Sequence, residues 1–486
     1  MNRNLYADDC LNVLNNPEVL PDGSVDLIYL DPPFNSNSRY NLPFKGKDKN
    51  LKPVEVFTDT WEWSDQEDAT LATFLRNPQQ RHLGNLIEYA LTITGGRSRK
   101  NNLGAYLVNM ATRLIAMKRV LSDKGSIFLH CDPTAGHYLK LILDGIYGRN
   151  SFRNEIVWCY TGPGSPKMRQ FNRKHDTVFW YSFGDSWTFN KDEVRLPHKD
   201  GGPHAGGFKG ASIKPDDPSY GEKGEVPETW WIDIAIAPRS SIEYLGYPTQ
   251  KPIALLERII LAASNKGDLV LDPFCGCGTA MHASELLKRR WIGIDISKFS
   301  TGLVRERLLS RIPTLEKSAI KQFGTPTSVE EARALAELDR FDFEKWVCGF
   351  IGAHGMFHDP GDRGPDSGVD GVIEFYPIRI GEPAKPEYAI VQVKSGEVTP
   401  DAVGRLYATV KRLDATAGIL VCFARQMRTV ENNRNRDQFE DSLDAYPVIQ
   451  GFSIEDMLSG KNLRLPPFAP RRKGEAPGSS GLFFQK

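Results

Sequence analysis

The chain has 486 residues, 61 lysines and arginines against 61 aspartates and glutamates, and 40% apolar residues. That length exceeds one ordinary domain, and the apolar share is enough for buried cores. The even charge balance argues neither for nor against nucleic acid, so any basic surface must be local. No apolar run reaches the ~18 residues of a membrane span, so no membrane partner is expected. The N-terminus "MNRNLYADDC" lacks the basic start and apolar stretch of a secretion signal, and seven cysteines without paired spacing suit a reducing compartment. A cytoplasmic protein is expected.

In chain order, the first 150 residues alternate strand-like and helix-like text: "VDLIYLD", a polar aromatic-rich insertion, the helix "AYLVNMATRLIAMKRVL", then "GSIFLHCD" and "HYLKLILDGIYG". This alternation predicts an α/β sheet with covering helices. Residues 151 to about 247 break the rhythm with "GPGSP", "GGPHAGGFKG" and "KPDDPSYGEKGE", turn chemistry without sustained periodicity, and look inserted. The rhythm resumes in "IALLERIILAAS", "DLVLDPFCGCGTAMHASELLKRR" and "WIGIDIS". Near Thr325 a proline-threonine stretch precedes a helix start at Ser328, with Glu331 placed for a capping box, and marks a second unit. The closing "PRRKGEAPGSSG" reads as a tail.

Two stretches of the first unit carry chemistry. "LIYLDPPFNS" runs an apolar strand into Asp31, Pro32, Pro33 and Phe34. By itself this is good turn chemistry. Further on, a strand ends at Asp272, followed by Phe274, Gly276 and Gly278, which lead into a helix. Glycines let a ligand approach the backbone closely, and a helix N-terminus favours negative charge nearby. Roughly twenty residues later "WIGID" ends in Asp295, where α/β folds place a carboxylate on ribose hydroxyls. The pair predicts a nucleoside site. The loop is not a full GxGxxG, and there is no GxxxxGK[ST], so neither a pyrophosphate cradle nor an ATP motor is expected. Cys275 and Cys277 lack nearby partner ligands for zinc and read as loop filling.

"DPPF" at 31–34, "PTQKP" at 248–252 and "LDPFCGCGT" at 271–279, with "YADDCLNVL", "HCDPTAGHYLK", "FRNEIVW" and "NRKHDTVFWYS", resemble the amino-methyltransferases of DNA in the permuted motif order of the β group. The resemblance covers residues 1–311. It implies a Rossmann-like α/β fold, S-adenosylmethionine as cofactor, double-stranded DNA as partner, and an inserted target-recognition region at 160–245; a homodimer is compatible with it. It implies that Asp31 and the Pro32 carbonyl accept the hydrogens of an exocyclic amine, that the prolines hold those acceptors rigidly, and that Phe34 stacks on an extruded base. In this family aspartate at the first position usually accompanies adenine and serine cytosine, so adenine is expected, with cytosine the alternative. Asp9 matches the position facing the cofactor's adenine. Lys251, with Thr249, Gln250 and Pro252, matches the motif flanking its methionine end. His130, Cys131 and Asp132 are expected to shape the pocket as a strand end. Lys167, Arg169, Arg173 and Lys174 suit phosphate contacts, although a solvated charged face explains such a run equally well.

The second unit reads as αββαβ: "RFDFEKWVCGFIGA", "GPDSGVDGVIEF", "YAIVQVKSG", "DAVGRLYATVKRL" and "GILVCF". Asp370, Gln392 and Lys394 resemble the PD-(D/E)xK nuclease core, especially the Mrr-like restriction endonucleases, with Gln392 replacing the usual second acid. The resemblance covers about residues 338–460 and implies a metal site on Asp370 and Gln392 for a hard cation such as Mg2+, with Lys394 stabilising phosphate charge. The glutamine weakens this, since a neutral oxygen holds a cation less strongly than a carboxylate. An ordinary α/β domain, or a nuclease fold kept only for DNA binding, is the alternative. The expected organisation is a methyltransferase domain at 1–311, a linker at 312–337, an endonuclease domain at 338–465 and a tail at 466–486.

Overall fold

The computed structural model describes residues 2–33, 39–41, 55–58, 61–95, 101–161, 169–197, 224–237, 243, 245, 247, 249–355, 369–379 and 385–466. The first unit contains β1 (Arg3–Ala7), α1 (Cys10–Leu14), β2 (Val25–Leu30), β3 (Arg39–Asn41), β4 (Glu55–Thr58), α2 (Asp65–Arg76), α3 (Arg81–Thr94), α4 (Asn102–Val120) and β5 (Leu121–Cys131). It continues through α5 (Gly136–Tyr147), β6 (Phe152–Cys159), β7 (His175–Ser182), β8 (Trp230–Trp231), α6 (Ile253–Ala263), β9 (Leu269–Asp272), α7 (Thr279–Leu286), β10 (Arg290–Asp295), α8 (Lys298–Arg311) and β11 (Lys321–Phe323).

Nine of these strands form one sheet in the order β11-β1-β10-β9-β2-β5-β7-β6-β8. From β11 to β5 every pairing is parallel, and β7 then runs antiparallel to both β5 and β6. Central strands such as "LVLD" of β9 are buried throughout, as a sheet covered on both faces requires. Two apolar cores lie against the sheet, one containing Ile28, Leu114, Met117 and Leu271, the other Leu27, Leu256, Met281 and Trp291. The permuted order places β2, early in the chain, directly beside β9, late in the chain. Their carboxyl ends therefore open on the same side, where α/β sheets bind ligands.

Two sequence expectations change here. The region 160–245, expected as an insertion, contains β7, an integral strand whose "VFWYS" is buried. The turn-rich text on both sides masks this strand in the sequence. The stretch 312–337, expected as a linker, supplies β11, paired with Asn4–Tyr6 of β1, and α9 (Val329–Leu338). Phe323 stacks on Tyr6 with ring centroids 4.6 Å apart, and three residues are too few to show a period. Ser328 does cap α9 by accepting from Glu331 N, but Glu331 returns its carboxylate to Thr327, one residue earlier than a capping box requires. Beyond Pro466 the expected tail lies outside the described residues.

The second unit adds α10 (Arg340–Phe350), β12 (His354–Gly355), β13 (Gly371–Phe375), β14 (Glu387–Lys394), α11 (Pro400–Arg412), β15 (Ala417–Cys422), α12 (Ala424–Asn433), β16 (Gln438–Glu440), β17 (Ala445–Pro447), β18 (Ile449–Ser453) and α13 (Ile454–Leu458). Its sheet order is β12-β13-β14-β15-β18. No described helix is long and apolar enough to cross a membrane.

The two units share a core. Phe299 and Leu303 of α8 pack with Phe343, Trp346 and Val347 of α10. The helices cross at glycines: a Cβ on Gly302 would lie 2.7 Å from the Gly349 carbonyl carbon, and one on Gly349 would lie 2.8 Å from Phe299 Cα. Lys298 and Asp342 flank the crossing with an ion pair of 2.9 Å. Because backbone meets backbone, Gly302→Val is expected to force the helices apart at a cost of about 1–3 kcal/mol or more. Thermal unfolding followed by calorimetry should show one transition for the parent and two separated transitions for the variant.

Candidate active site

The glycine loop starts where β9 ends. Asp272 Oδ1 accepts from Phe274 N at 3.0 Å, which turns the chain away from the sheet. Gly276 (φ +48°) and Gly278 (φ +76°) adopt left-handed conformations, and a Cβ on Gly278 would come within 2.6 Å of Val304. Arg307 of α8, almost fully buried, donates to the Cys277 carbonyl and to Thr279 Oγ1, both at 3.0 Å, and so braces the loop against the start of α7.

Asp295 ends the adjacent β10. Its Oδ2 accepts from Gly276 N and its Oδ1 from Ser297 N, each at 2.9 Å. Burial pushes its carboxyl up to about 6 despite those two N–H donors. Burial also holds Asp272 well above the usual carboxylate range, and the charges of Asp31 and Asp295 add to that. On the far side of β9, Asp31 follows β2. Its Oδ2 lies 2.8 Å from Lys251 Nζ, while its Oδ1 is buried with no hydrogen-bond partner among the described residues. Pro32 and Pro33 line the same cavity; Phe34 lies outside the described residues.

These residues surround one cavity of about 320 Å³, which Asp9, Asp31, Lys251, Asp272, Phe274, Gly276 and Asp295 all line. Asp9 caps α1 through Leu11 N at 2.8 Å and pairs with Arg113 at 2.6 Å. Gly278 stands just behind the lining, at the helix start. The sequence reading missed Arg113, Trp61 and Tyr247. Arg113 lies 5.5 Å from the Trp61 ring centroid, and Tyr247 OH approaches Ser300 Oγ at 3.4 Å. The one local trace of Arg113 is a cation inside the apolar helix text "NMATRLIAM".

His130, Cys131 and Asp132 do not converge on the cavity. His130 is fully buried, with Nδ1 3.0 Å from Tyr29 OH and Nε2 3.1 Å from Asp176 Oδ2. Asp132 closes a turn onto Thr134. Burial would raise Asp176, but the hydrogen bond from His130 and the nearby charges of His130 and Lys251 outweigh it and hold the carboxyl low. Tyr160 OH donates to the other oxygen of Asp176 at 3.2 Å. Arg169, Phe171 and Arg173 stand exposed on the connection leading into β7, and Lys174 is half-buried; Lys167 lies outside the described residues.

In the second unit, antiparallel pairing of Gly371 with Val391 sets Asp370 beside Gln392. Asp370 Oδ2 accepts from Val393 N at 2.6 Å, and Cys348 Sγ of α10 donates to the Asp370 carbonyl at 3.4 Å. Gln392 and Lys394 are two residues apart on β14 and share a face. Gln392 Oε1 is buried without a partner among the described residues, and no group of three or more His, Cys, Asp or Glu side chains there could hold a metal.

Residues 25–304 match the DNA methylase family of N6 and N4 amino-methyltransferases, and residues 335–432 match a restriction endonuclease family. The chain belongs to the DNA methylase family and carries an Mrr-type restriction endonuclease domain toward its C-terminus. It is 29% identical to the type II methyltransferase M.EcaI of Enterobacter cloacae, over 50% of this chain and 67% of that protein. It is 30% identical to the DNA adenine methyltransferase YhdJ of Escherichia coli, over 46% of this chain and 73% of that protein. Among solved structures, M1.HpyAVI in complex with S-adenosylmethionine aligns over 63% of this chain and 98% of that chain, at 18% identity and a TM-score of 0.35.

The cleft suits S-adenosylmethionine: a glycine loop without a Cβ, and a carboxylate held by two backbone N–H groups with lone pairs left for ribose hydroxyls. Protonation of Asp295 removes acceptor capacity. Cofactor affinity is therefore expected to hold steady at neutral pH and to fall as pH drops through about 6. Calorimetric titration across pH 5–8 checks this, with Asp295→Asn expected to bind more weakly throughout and to flatten the fall.

Proposed function

We propose that this chain methylates the N6 amine of adenine in double-stranded DNA, and that its C-terminal domain is a magnesium-dependent endonuclease acting with it in restriction-modification. The observation that carries the first part is the unpartnered, buried Oδ1 of Asp31 in the same cavity as the Asp295 loop. An adenine amine is a poor nucleophile because its lone pair is delocalised into the ring. Oδ1 of Asp31 and the Pro32 carbonyl are acceptors for its two hydrogens, fixed before the base arrives, and they stabilise the positive charge that develops on nitrogen. S-adenosylmethionine, when bound, supplies an activated methyl group. Asp295 and the glycine loop orient it; Phe274, Tyr247 and Trp61 wall the cleft against water. Asp31 at the first motif position favours adenine over cytosine, as does the similarity to a named adenine methyltransferase.

Arg169, Arg173 and Lys174 serve the DNA backbone in this reading, which fits their placement at the catalytic end of the sheet beside Asp176. Magnesium fits the second site by donor chemistry. Asp370, the orphaned Gln392 Oε1 and the Val393 carbonyl are hard oxygen donors on adjoining strands, and they would hold the ion while Lys394 meets phosphate charge. The ion, when bound, would polarise a phosphate and acidify a water. Gln392 in place of an acid favours the competing reading, a nuclease fold retained for binding DNA.

Asp31→Ala should slow methyl transfer by about 10²–10³-fold or more while leaving S-adenosylmethionine affinity nearly intact. Equal loss of both would reject the role of Asp31. Mass spectrometry of DNA modified by the parent protein should show N6-methyladenine, and N4-methylcytosine alone would reverse the base assignment. Lys394→Ala should lose metal-dependent cleavage of plasmid DNA and methylate normally. A parent protein that never cuts, with or without Mg2+, S-adenosylmethionine or prior methylation, leaves the binding-domain reading.

A further inference from the structure

We propose that Lys251 is a positioning residue for methyl transfer, fixing the Asp31 carboxylate so that Oδ1 alone is offered to the exocyclic amine. This rests on the reading of Asp31 given above. The ammonium lies 2.8 Å from Oδ2, and the two side chains are 11% and 15% exposed. The other oxygen of the same carboxylate is buried and unpartnered among the described residues. A carboxylate can present either oxygen, because the terminal torsion of aspartate is soft and roughly two-fold. One short, charge-assisted hydrogen bond from a shielded cation removes that choice.

Lys251 is itself held from several directions. Its carbonyl accepts from Thr279 Oγ1 at 3.2 Å, so the segment carrying it is tied to the first turn of α7. Its neighbour Gln250 bridges that segment, accepting from Leu245 N at 2.8 Å and donating to the Glu243 carbonyl at 2.6 Å. Glu243 in turn accepts from Ile253 N, at the start of α6. Asp176 is the second carboxylate that feels the lysine charge. Through His130 it connects to Tyr29, two residues before Asp31 on β2. The hydrogen-bonded chain thus runs from β2 across β5 to β7, and the charge of Lys251 acts on Asp176 at its far end as well as on Asp31.

The chemistry of the group fits positioning and no closer role. An ammonium has three donors and no acceptor, so it cannot take a hydrogen from the base amine. Its contact with Asp31 satisfies a carboxylate oxygen without touching a reacting atom, and it exchanges no proton in the reaction. The motif resemblance that sets Lys251 beside the cofactor's methionine end predicts a different outcome when the lysine is removed.

The test uses the full chain with plasmid DNA, comparing Lys251→Met, Lys251→Arg and Asp31→Asn, and the double variant Asp31→Asn with Lys251→Met. Cofactor affinity is read by calorimetry, and methyl transfer by single turnover at saturating S-adenosylmethionine. Lys251→Met is expected to slow transfer about 10²-fold, the loss typical of one misplaced acceptor, with cofactor affinity within about threefold of the parent. Lys251→Arg should recover most of the rate. In the Asp31→Asn background, Lys251→Met should add little further loss, because both act through one carboxylate. The proposal is overturned if Lys251→Met weakens cofactor binding by the factor that it slows transfer, or if its effect persists in full in the Asp31→Asn background. Bound cofactor in calorimetry separates either result from a variant that does not fold. If Asp31→Ala transfers at the parent rate, the reading of Asp31 itself falls.

Discussion

Three carboxylates sit at the ends of three neighbouring parallel strands: Asp295 on β10, Asp272 on β9 and Asp31 after β2. Burial raises the carboxyls of Asp272 and Asp295, and holding acids at these buried strand ends is the constraint that the first unit has to meet. Each one is held by a different device. Asp272 turns back on the backbone N–H of Phe274, Asp295 takes two N–H groups, and Asp31 takes an ammonium. Backbone donors cannot move away, so the two acids nearest the glycine loop are held by the fold itself. The third depends on a side chain delivered from residue 251. Such a buried pair stabilises little net, but removing one partner leaves an uncompensated charge.

Much of this was legible because the chemistry lies at strand ends that the sequence punctuates. Asp31 precedes two prolines, Asp272 precedes a proline and two glycines, and Asp295 closes an apolar run. Lys251 could be named from a motif, but its partner could not, because 220 residues separate it from Asp31 and no local period reports a contact across the sheet. Arg113 and Asp9 present the same difficulty at a separation of 104 residues. The strands β7 and β11 escaped for another reason. Strand β7 is flanked by turn-forming text on both sides, and β11 is a three-residue edge, too short to show a period. His130, expected to shape the pocket as part of a strand end, is buried between Tyr29 and Asp176, behind the cavity lining.

The second unit shows the same principle with fewer residues. Asp370 is fixed by Val393 N across adjoining strands, and the orphaned oxygen of Gln392 faces no protein donor among the described residues. A buried acceptor left open in a tight sheet is costly unless something completes it. In both units, then, an unsatisfied oxygen sits next to a rigidly satisfied carboxylate.

The glycine crossing of α8 and α10 bears on how such a protein can be assembled from parts. Helix α8 begins directly after Asp295 and Ser297, and α10 supplies the thiol that bonds the Asp370 carbonyl. The contact between the two units is therefore made of the elements that frame their candidate sites, not of a tether. A nuclease borrowed from another chain would have to bring a helix with a bare backbone patch at the height of Gly302, or lose the shared core. A second unit without this matched pair of glycines is expected to open the joint, so the two halves are coupled as one and not as interchangeable cassettes.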